Sequence, residues 1–385
     1  MYDVIIVGAG PSGAALSYFL VKKGFNVLTL ERDPKPATRV ICGEYLPDPD
    51  SLGMPKDISK AYWEFFRPFI VHRIKRISME IENRRFTTEY IGYSIDRANM
   101  IRKRLMESVE NGLSLSTKEV FLTAKLGDGC IKVITSKGEY RTKFLVGADG
   151  FGSKVARSSG LHNVIKCDDL ALAFTNEVNL DLPDPEEMRL IINEELAPGT
   201  YAWVIPRSPS RANVGLGVRL SMKRSFNPVR AMKKFFKELK IKKEPILRGR
   251  YVPVGGISPR IVSHGVFLLG DAACMVIPSN GGGMHLGIIA AYLLSNSLEG
   301  ESERRYERAV REYIKPVVDL GLVHRKAADF FTRTGLLRRT VGLLPNNMVS
   351  EVIKVVKGNY YPLIKVMASM YDFLDMGRSG SYPRC

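Results

Sequence analysis

The chain opens on a strand, a glycine-rich turn and a helix that leave few folds open. Tyr2-Asp3-Val4-Ile5-Ile6-Val7 reads as a buried strand, about 12–23 as a helix, and Asn26-Val27-Leu28-Thr29-Leu30 as a second strand. Between the first two lie Gly8-Ala9-Gly10-Pro11-Ser12-Gly13. Glycines at this spacing let the chain turn sharply, let backbone approach a pyrophosphate, and let the helix pack on the strand; the helix N-terminus then stabilises the phosphate charge. A lone GxGxxG is a weak signal. Here it follows a strand, opens a helix and precedes Glu31, a carboxylate placed where a ribose hydroxyl is bound. A dinucleotide-binding β-α-β unit follows, and a ligand-free glycine turn is the poorer reading.

Two later segments punctuate strands in a related way. Leu145-Val146-Gly147-Ala148-Asp149-Gly150-Phe151-Gly152-Ser153 ends a strand in a turn with one acid, and a purely local role for Asp149 stays open. Gly270-Asp271-Ala272-Ala273, with Pro278 and Gly281-Gly282-Gly283-Met284 after it, presents a carboxylate able to accept from a sugar-like hydroxyl. Three consecutive glycines at a helix start let backbone lie against a flat ring. Other expected elements are a helix over 95–111, strands near 115–122, 130–135 and 139–147, glycine- and valine-rich strands over 198–219, a helix over 228–241 and a late strand over 265–270.

Composition sets the remaining bounds. A length of 385 residues suits two or three domains, and 45% hydrophobic with 25% charged residues is ordinary for a globular protein. Cys42, Cys130, Cys167, Cys274 and Cys385 form no CxxC pair, and the histidines have no metal-like spacing, so no metal site is expected; a pairing through Cys385 stays open. No secretory leader and no apolar run of about 18 residues is read, so the expectation is a cytoplasmic protein with room for peripheral contact at the inner face of a membrane. Of the net charge of +17, much falls between Arg219 and Arg250, where twelve bases meet two acids. The bland reading is one solvated helix face, with Val229, Met232, Phe235, Phe236 and Leu239 buried beneath it. The functional reading is docking to an acidic partner or an anionic membrane. Nucleic acid is not expected, because no nucleic-acid-binding motif accompanies the charge.

Taken together, the three glycine motifs resemble the fingerprints of the FAD-dependent p-hydroxybenzoate hydroxylase-like superfamily in order and spacing over roughly 1–290. Arg97, in Ile95-Asp96-Arg97, matches the arginine that begins a helix there and often contacts FAD. The resemblance implies FAD as cofactor, with contacts from Gly8, Gly10, Ser12, Gly13, Glu31, Arg32, Cys42, Glu44, Arg97, Val120, Asp149, Asp271, Gly282, Gly283 and Met284. No second nicotinamide-binding motif is present, so electrons are expected from transiently docked NAD(P)H or a protein donor such as reduced ferredoxin.

Arg39-Val40-Ile41-Cys42-Gly43-Glu44, Gly199-Thr200-Tyr201-Ala202-Trp203-Val204-Ile205-Pro206 and a helical end narrow the resemblance to the geranylgeranyl reductase family, particularly archaeal enzymes that saturate isoprenoid chains of membrane lipids. That family carries Cys-Gly-(Glu or Asp) near the flavin and Tyr-x-Trp-x-Phe-Pro on the substrate side. Ile205 departs from it and matches the Trp-x-Trp-x-Ile-Pro of flavin-dependent halogenases, whereas Tyr201 matches the reductases. The implied chemistry is hydride from reduced FAD onto an isoprenoid C=C bond, with a proton to the far carbon from Cys42, Tyr201 or water. Tyr201 and Trp203 alternate along a strand and point to one face, lining an apolar tunnel or simply filling a core. His285 is read as a satisfied helix-start histidine rather than an acid–base group. A prenyl quinone side chain is a further candidate substrate. An aromatic monooxygenase or halogenase and a flavin relay to membrane quinone are the competing functions.

The expected fold class is α/β: a Rossmann-type FAD-binding domain (1–58, 94–160 and 255–300), an inserted α+β substrate domain with an antiparallel sheet (59–93 and 161–254), and a helical C-terminal region (301–385) broken by Pro316, Pro345 and Pro362. In the last, an apolar stripe from Leu336 to Met367 interleaved with Arg338, Arg339, Lys354, Lys357 and Lys365 suits either ordinary packing or a bilayer surface.

Overall fold

Short apolar runs build the centre of one sheet of this protein, and the Arg211–Arg219 strand of the other alternates apolar residues with Asn213, Gly215 and Gly217. A computed structural model describes residues 1–334 apart from 39–40, 82–83, 128, 163–164, 223–225 and 301–302. In chain order the elements are β1 (Tyr2–Val7), α1 (Pro11–Val21), β2 (Val27–Leu30), β3 (Tyr45–Pro47), α2 (Lys56–Phe66), β4 (Ile70–Ile81), β5 (Arg84–Ile95), α3 (Arg97–Glu110), β6 (Ser114–Ser116), β7 (Phe121–Gly127), β8 (Cys130–Thr135) and β9 (Glu139–Gly147). They continue with α4 (Lys154–Ser158), β10 (Leu170–Asn179), β11 (Glu187–Ile192), β12 (Ala202–Ser208), β13 (Arg211–Arg219), α5 (Pro228–Glu238), β14 (Gly249–Pro253), β15 (Val262–Ser263), β16 (Val266–Leu268), α6 (Met284–Leu298), α7 (Glu303–Tyr313) and α8 (Lys315–Arg333). The stripe beyond Leu336 lies outside the described residues.

The first sheet runs β15-β16-β9-β1-β2-β6, with the β7–β8 hairpin joined through β8 to β9. β1 pairs in parallel with β2 and β9, and β16 in parallel with β9. Val4 to Val7 and Val27 to Leu30 are buried, as strands covered on both faces require. The strand expected over 115–122 is split into β6 and β7: Lys118 between them takes a left-handed φ of 53°, which no strand continues through. α1, α3 and α6 pack over this sheet in one apolar core.

The second sheet runs β14-β10-β13-β12-β11-β4-β5-β3 and is antiparallel except where β11 meets β4. β3 lies in the early segment beside the cofactor motif and yet pairs with β5, Tyr45 opposite Ser94. β13 explains the sheet's two faces. Ala212, Val214, Leu216 and Val218 form a core with Ala231, Met232, Phe235 and Phe236 of α5. Asn213, Gly215 and Gly217 fall on the opposite face by the two-residue period of a strand. Val229 is not on the buried face of α5 as expected: it is 43% exposed, and Ala231 packs in its place. Pro228 precedes it at the helix start, so the first turn lies beyond the sheet's cover.

α8 carries Pro316 in its first turn, where a missing N–H costs nothing. It docks on the second sheet through buried charge. Arg325 Nη1 donates to Asp169 Oδ1 at 2.9 Å and to the Val254 carbonyl at 2.8 Å, and Arg219 Nη1 reaches Asp329 Oδ2 at 3.2 Å.

Candidate active site

The first glycine turn is built for close backbone approach. Gly8 has φ 101°, and a Cβ there would stand 2.5 Å from the Ala148 carbonyl oxygen; a Cβ on Gly13 would stand 1.9 Å from the Gly8 oxygen. Gly10, which caps α1, differs: a Cβ there would meet no protein atom within 4 Å. The helix therefore opens onto free space, the cradle a pyrophosphate requires. Ser12 is wedged between Gly270 and Gly287, whose Cβ atoms would stand 2.4 and 2.2 Å from its Oγ. It joins α1 to α6 and to the turn bearing Asp271. Glu31 accepts from Ala9 N–H at 3.0 Å and from Asp33 N–H at 2.9 Å, so its carboxylate is held at the glycine turn. Arg32 beside it is exposed, and Val120 donates its N–H to Ser136 Oγ and accepts from Ser136 N–H near the same edge.

Asp149 is used locally. Its Oδ1 accepts from Ser153 Oγ at 2.6 Å and its Oδ2 from Lys154 N–H at 2.7 Å, capping α4, and burial raises its pKa. The contribution of this motif to the cradle is backbone: Ala148 and Asp149 floor the Gly8 turn. Asp271 sits in the turn before α6 and pairs with Arg250 Nη2 at 3.1 Å. A Cβ on Gly283 would stand 3.4 Å from Asp271 Oδ1, so Gly282, Gly283 and Met284 open α6 directly beside that carboxylate.

Arg97 and Glu44 meet on the other side. Glu44, at φ 55° and 8% exposed, accepts from Arg97 N–H at 3.1 Å and from Arg207 Nη1 at 3.1 Å. Burial raises its pKa and Arg207 opposes the rise. Arg97 is 7% exposed, and its Nε is buried without a hydrogen-bond partner. An orphaned guanidinium nitrogen, a glycine cradle open at Gly10 and a carboxylate beside a bare helix N-terminus fit a phosphate-bearing dinucleotide cofactor.

Cys42 lies on the segment between β2 and β3. Its carbonyl accepts from Asn213 Nδ2 at 2.9 Å, and its sulfur accepts from Glu44 N–H at 3.3 Å. Beneath the loop, a Cβ on Gly43 would stand 2.9 Å from Ile205 Cδ1. Trp203 lies flat over Gly215, where a Cβ would come within 2.2 Å of its ring, and its Nε1 donates to Asn213 Oδ1 at 2.9 Å. Tyr201 packs edge-on to Trp203 at 5.9 Å and donates its hydroxyl hydrogen to the Asn280 carbonyl in the glycine turn before α6. Burial, with Cys42 nearby, raises the Tyr201 pKa, so the phenol stays neutral. Trp203 is 8% exposed and packs with Ile74, Ile77 and Met188, so it is a core aromatic as well as a wall. His285 is buried, pushed down to about 4 by desolvation, and neutral.

The structure thus brings Cys42, Tyr201 and Trp203 together beside the α6 start; Arg32 and Val120 stand apart at the far edge of the cradle. Asn213, Arg207 and Arg250 were not singled out from sequence. Arg250 and Arg219 looked like members of one solvated basic face. Both are instead paired, half-buried Arg250 with Asp271 and buried Arg219 with Asp329, because acids distant in sequence face them. Lys233, Lys234, Lys237, Lys240, Lys242, Lys243 and Arg248 are exposed; Lys223 and Arg224 lie outside the described residues. Among the described residues no cluster suits a metal ion and no helix is long and apolar enough to cross a membrane.

A model of the geranylgeranyl reductase catalytic domain matches residues 169–251, a NAD(P)-binding Rossmann-like domain matches 6–52, and a squalene epoxidase model matches 222–332. The chain is 29% identical over 346 residues to digeranylgeranylglycerophospholipid reductase 2 of Methanothermobacter thermautotrophicus, covering 85% of this chain and 88% of that one. Its fold is that of a geranylgeranyl bacteriochlorophyll reductase-like protein from Thermoplasma acidophilum, with a TM-score of 0.76, 22% identity and 95% of each chain covered. It is also that of a myxobacterial chondrochloren halogenase, with a TM-score of 0.64, 21% identity, and 86% of this chain and 82% of that one covered. Matched over β10 to β14 by the catalytic-domain model and over most of its length by an archaeal reductase, the chain is similar to the geranylgeranyl reductases and shares its fold with flavin-dependent enzymes.

Proposed function

We propose that the chain is an FAD-dependent reductase that saturates C=C bonds of geranylgeranyl or related polyprenyl chains in isoprenoid membrane lipids. The observation that carries this reading is the meeting of the Cys42 loop, the Tyr201–Trp203 strand of the matched catalytic domain and the glycine turn that opens α6. Gly8, Gly10 and Gly13 with the α1 N-terminus would hold the diphosphate of FAD, Glu31 a ribose, Asp271 the ribityl chain, and Arg97 an adjoining polar edge. When bound, reduced FAD would supply the hydride, which carries both electrons of the reduction. The one Rossmann motif is committed to FAD in this reading, so the reductant, NAD(P)H or a ferredoxin, docks transiently.

An isolated alkene has no carbonyl to take up charge, so a proton must reach the far carbon together with the hydride. Tyr201 is a poor source: its hydroxyl hydrogen is engaged by Asn280. The Cys42 sulfur accepts from Glu44 N–H, which leaves its own S–H to donate. Trp203, Ile205 and Tyr201 offer an apolar wall for the chain, which keeps water from competing for the proton.

The test is anaerobic. Protein loaded with FAD and reduced by dithionite is mixed with geranylgeranyl-bearing lipid, and mass spectrometry follows the gain of one H2 per saturated bond. Stepwise gain is expected. No gain with this lipid or a prenyl quinone, together with oxygen uptake or chloride-dependent product on an aromatic substrate, would move the assignment to a monooxygenase or halogenase.

A further inference from the structure

We propose that Asn213 is the positioning residue that sets where the Cys42 thiol sits over the aromatic strand. This deepens the reading of Cys42 as the substrate-side proton donor and rests on it. Asn213 is 3% exposed on the bare face of β13. Its Oδ1 accepts from Trp203 Nε1 at 2.9 Å and from Thr175 Oγ1 at 2.7 Å, and its Nδ2 donates to the Cys42 carbonyl at 2.9 Å. The chemistry of the partners fixes the amide's orientation. An indole N–H only donates and a carbonyl only accepts, so the oxygen must face Trp203 and the nitrogen must face Cys42. Neither a carboxylate nor an apolar side chain of this size serves both.

The consequence is mechanical. The Cys42 loop crosses from the first sheet to β3, and Glu44 N–H on the sulfur is a bond within the loop itself. Asn213 ties the loop's backbone to the strand that carries Trp203, since Asn213 stands opposite Ile205 in the β12–β13 register. The bare face makes this possible: a side chain at Gly43 would collide with Ile205, and one at Gly215 with Trp203.

The experiment measures thiol alkylation residue by residue, by mass spectrometry, in the full chain. Cys130, half-buried and distant on β8, is the internal reference, and buried Cys274 monitors the fold. Asn213→Asp removes the donor to Cys42 and keeps the acceptor for Trp203. Asn213→Ala removes the donor without a new charge, together with the acceptor for Trp203 and Thr175, so a fold lost in one variant leaves the other to decide. In both, the ratio of Cys42 to Cys130 alkylation is expected to change at least about fivefold, the effect of one lost buried hydrogen bond, with Cys274 still protected. In the lipid assay kcat is expected to fall while KM and FAD affinity hold, a split that general loosening would not give. An unchanged Cys42-to-Cys130 ratio in both variants overturns the role of Asn213 whatever the reaction is. Inactivity of the unsubstituted chain on every prenyl lipid instead removes the reading of the reaction and leaves the thiol result standing.

Discussion

At the scale of single residues, glycines that look alike in sequence do different work. Gly13 is crowded by the Gly8 oxygen, whereas a Cβ on Gly10, at φ −72°, meets nothing. Gly13→Ala is therefore expected to cost more than about 2 kcal/mol in urea unfolding of the apoprotein. Gly10→Ala should leave that stability within about 0.5 kcal/mol and still weaken FAD binding at least about tenfold by titration, because its methyl enters the cradle. Unchanged FAD affinity in Gly10→Ala would remove the diphosphate from that turn. His285 supplies a pH test. Its native pKa, about 4, lies below the ordinary 6.5, so the unfolded chain takes up the proton first as pH falls. Its contribution to stability is complete above about 6.5 and is lost down to about 4, by at most about 3 kcal/mol. Glu44 and Asp149, raised by burial, act in the opposite sense, so the useful quantity is the difference from a variant. His285→Gln is expected to lose less stability between pH 7 and pH 4.5 than the parent; equal losses in urea melts would contradict a buried neutral imidazole.

At the scale of elements, α8 is held by charge rather than by an apolar stripe alone. Arg219 and Arg325 are 3% and 6% exposed and lean on Asp168, Asp169 and Asp329. Burial lowers the Arg219 pKa, and Asp329 opposes this. Asp329→Ala leaves two buried guanidinium groups short of a counter-charge and is expected to cost about 3 kcal/mol in urea unfolding. Replacing Arg219 and Asp329 together by Met and Leu should recover part of that loss, since an apolar pair needs no desolvation. No recovery would mean that the Arg219 bonds to the Gly199 and Asp168 carbonyls, rather than the ion pair, hold the helix.

For the whole molecule, the net charge of +17 has one conspicuous outlet. α5 and the segment after it expose Lys237, Lys240, Lys242, Lys243 and Arg248, while Lys233 and Lys234 are paired to Glu244 and Glu195. Such a face is attracted to anionic bilayers over about a Debye length, ~10 Å at 0.1 M salt. The protein is expected to sediment with anionic vesicles at low salt, to be released at high salt, and to lose most of that binding in a Lys237→Glu, Lys240→Glu, Lys242→Glu triple variant. Equal recovery in the supernatant at both salts would assign the face to simple solvation.

The strand–glycine–helix opening, the class of cofactor and the one-sided strand bearing Tyr201 and Trp203 were legible in sequence because each is local: a turn, a helix start, a period of two. Even Asp149's local use could be foreseen as one of two readings. The β4–β5 hairpin was not legible, because its charges are satisfied by residues far along the chain, Arg76 by Asp184 at 2.7 Å and Glu80 by Arg189 at 2.8 Å. Asn213 carried no signal either; an asparagine in a strand gains meaning only when an indole N–H, a hydroxyl and a loop carbonyl converge on it. Nor could charge counting separate Arg219 and Arg250 from the exposed lysines, since the partner carboxylate decides which way a basic side chain turns. Local backbone geometry was written in the sequence; the pairing of polar groups across the fold was decided by tertiary structure, because burial makes an unpaired polar group costly and the partner can come from anywhere in the chain.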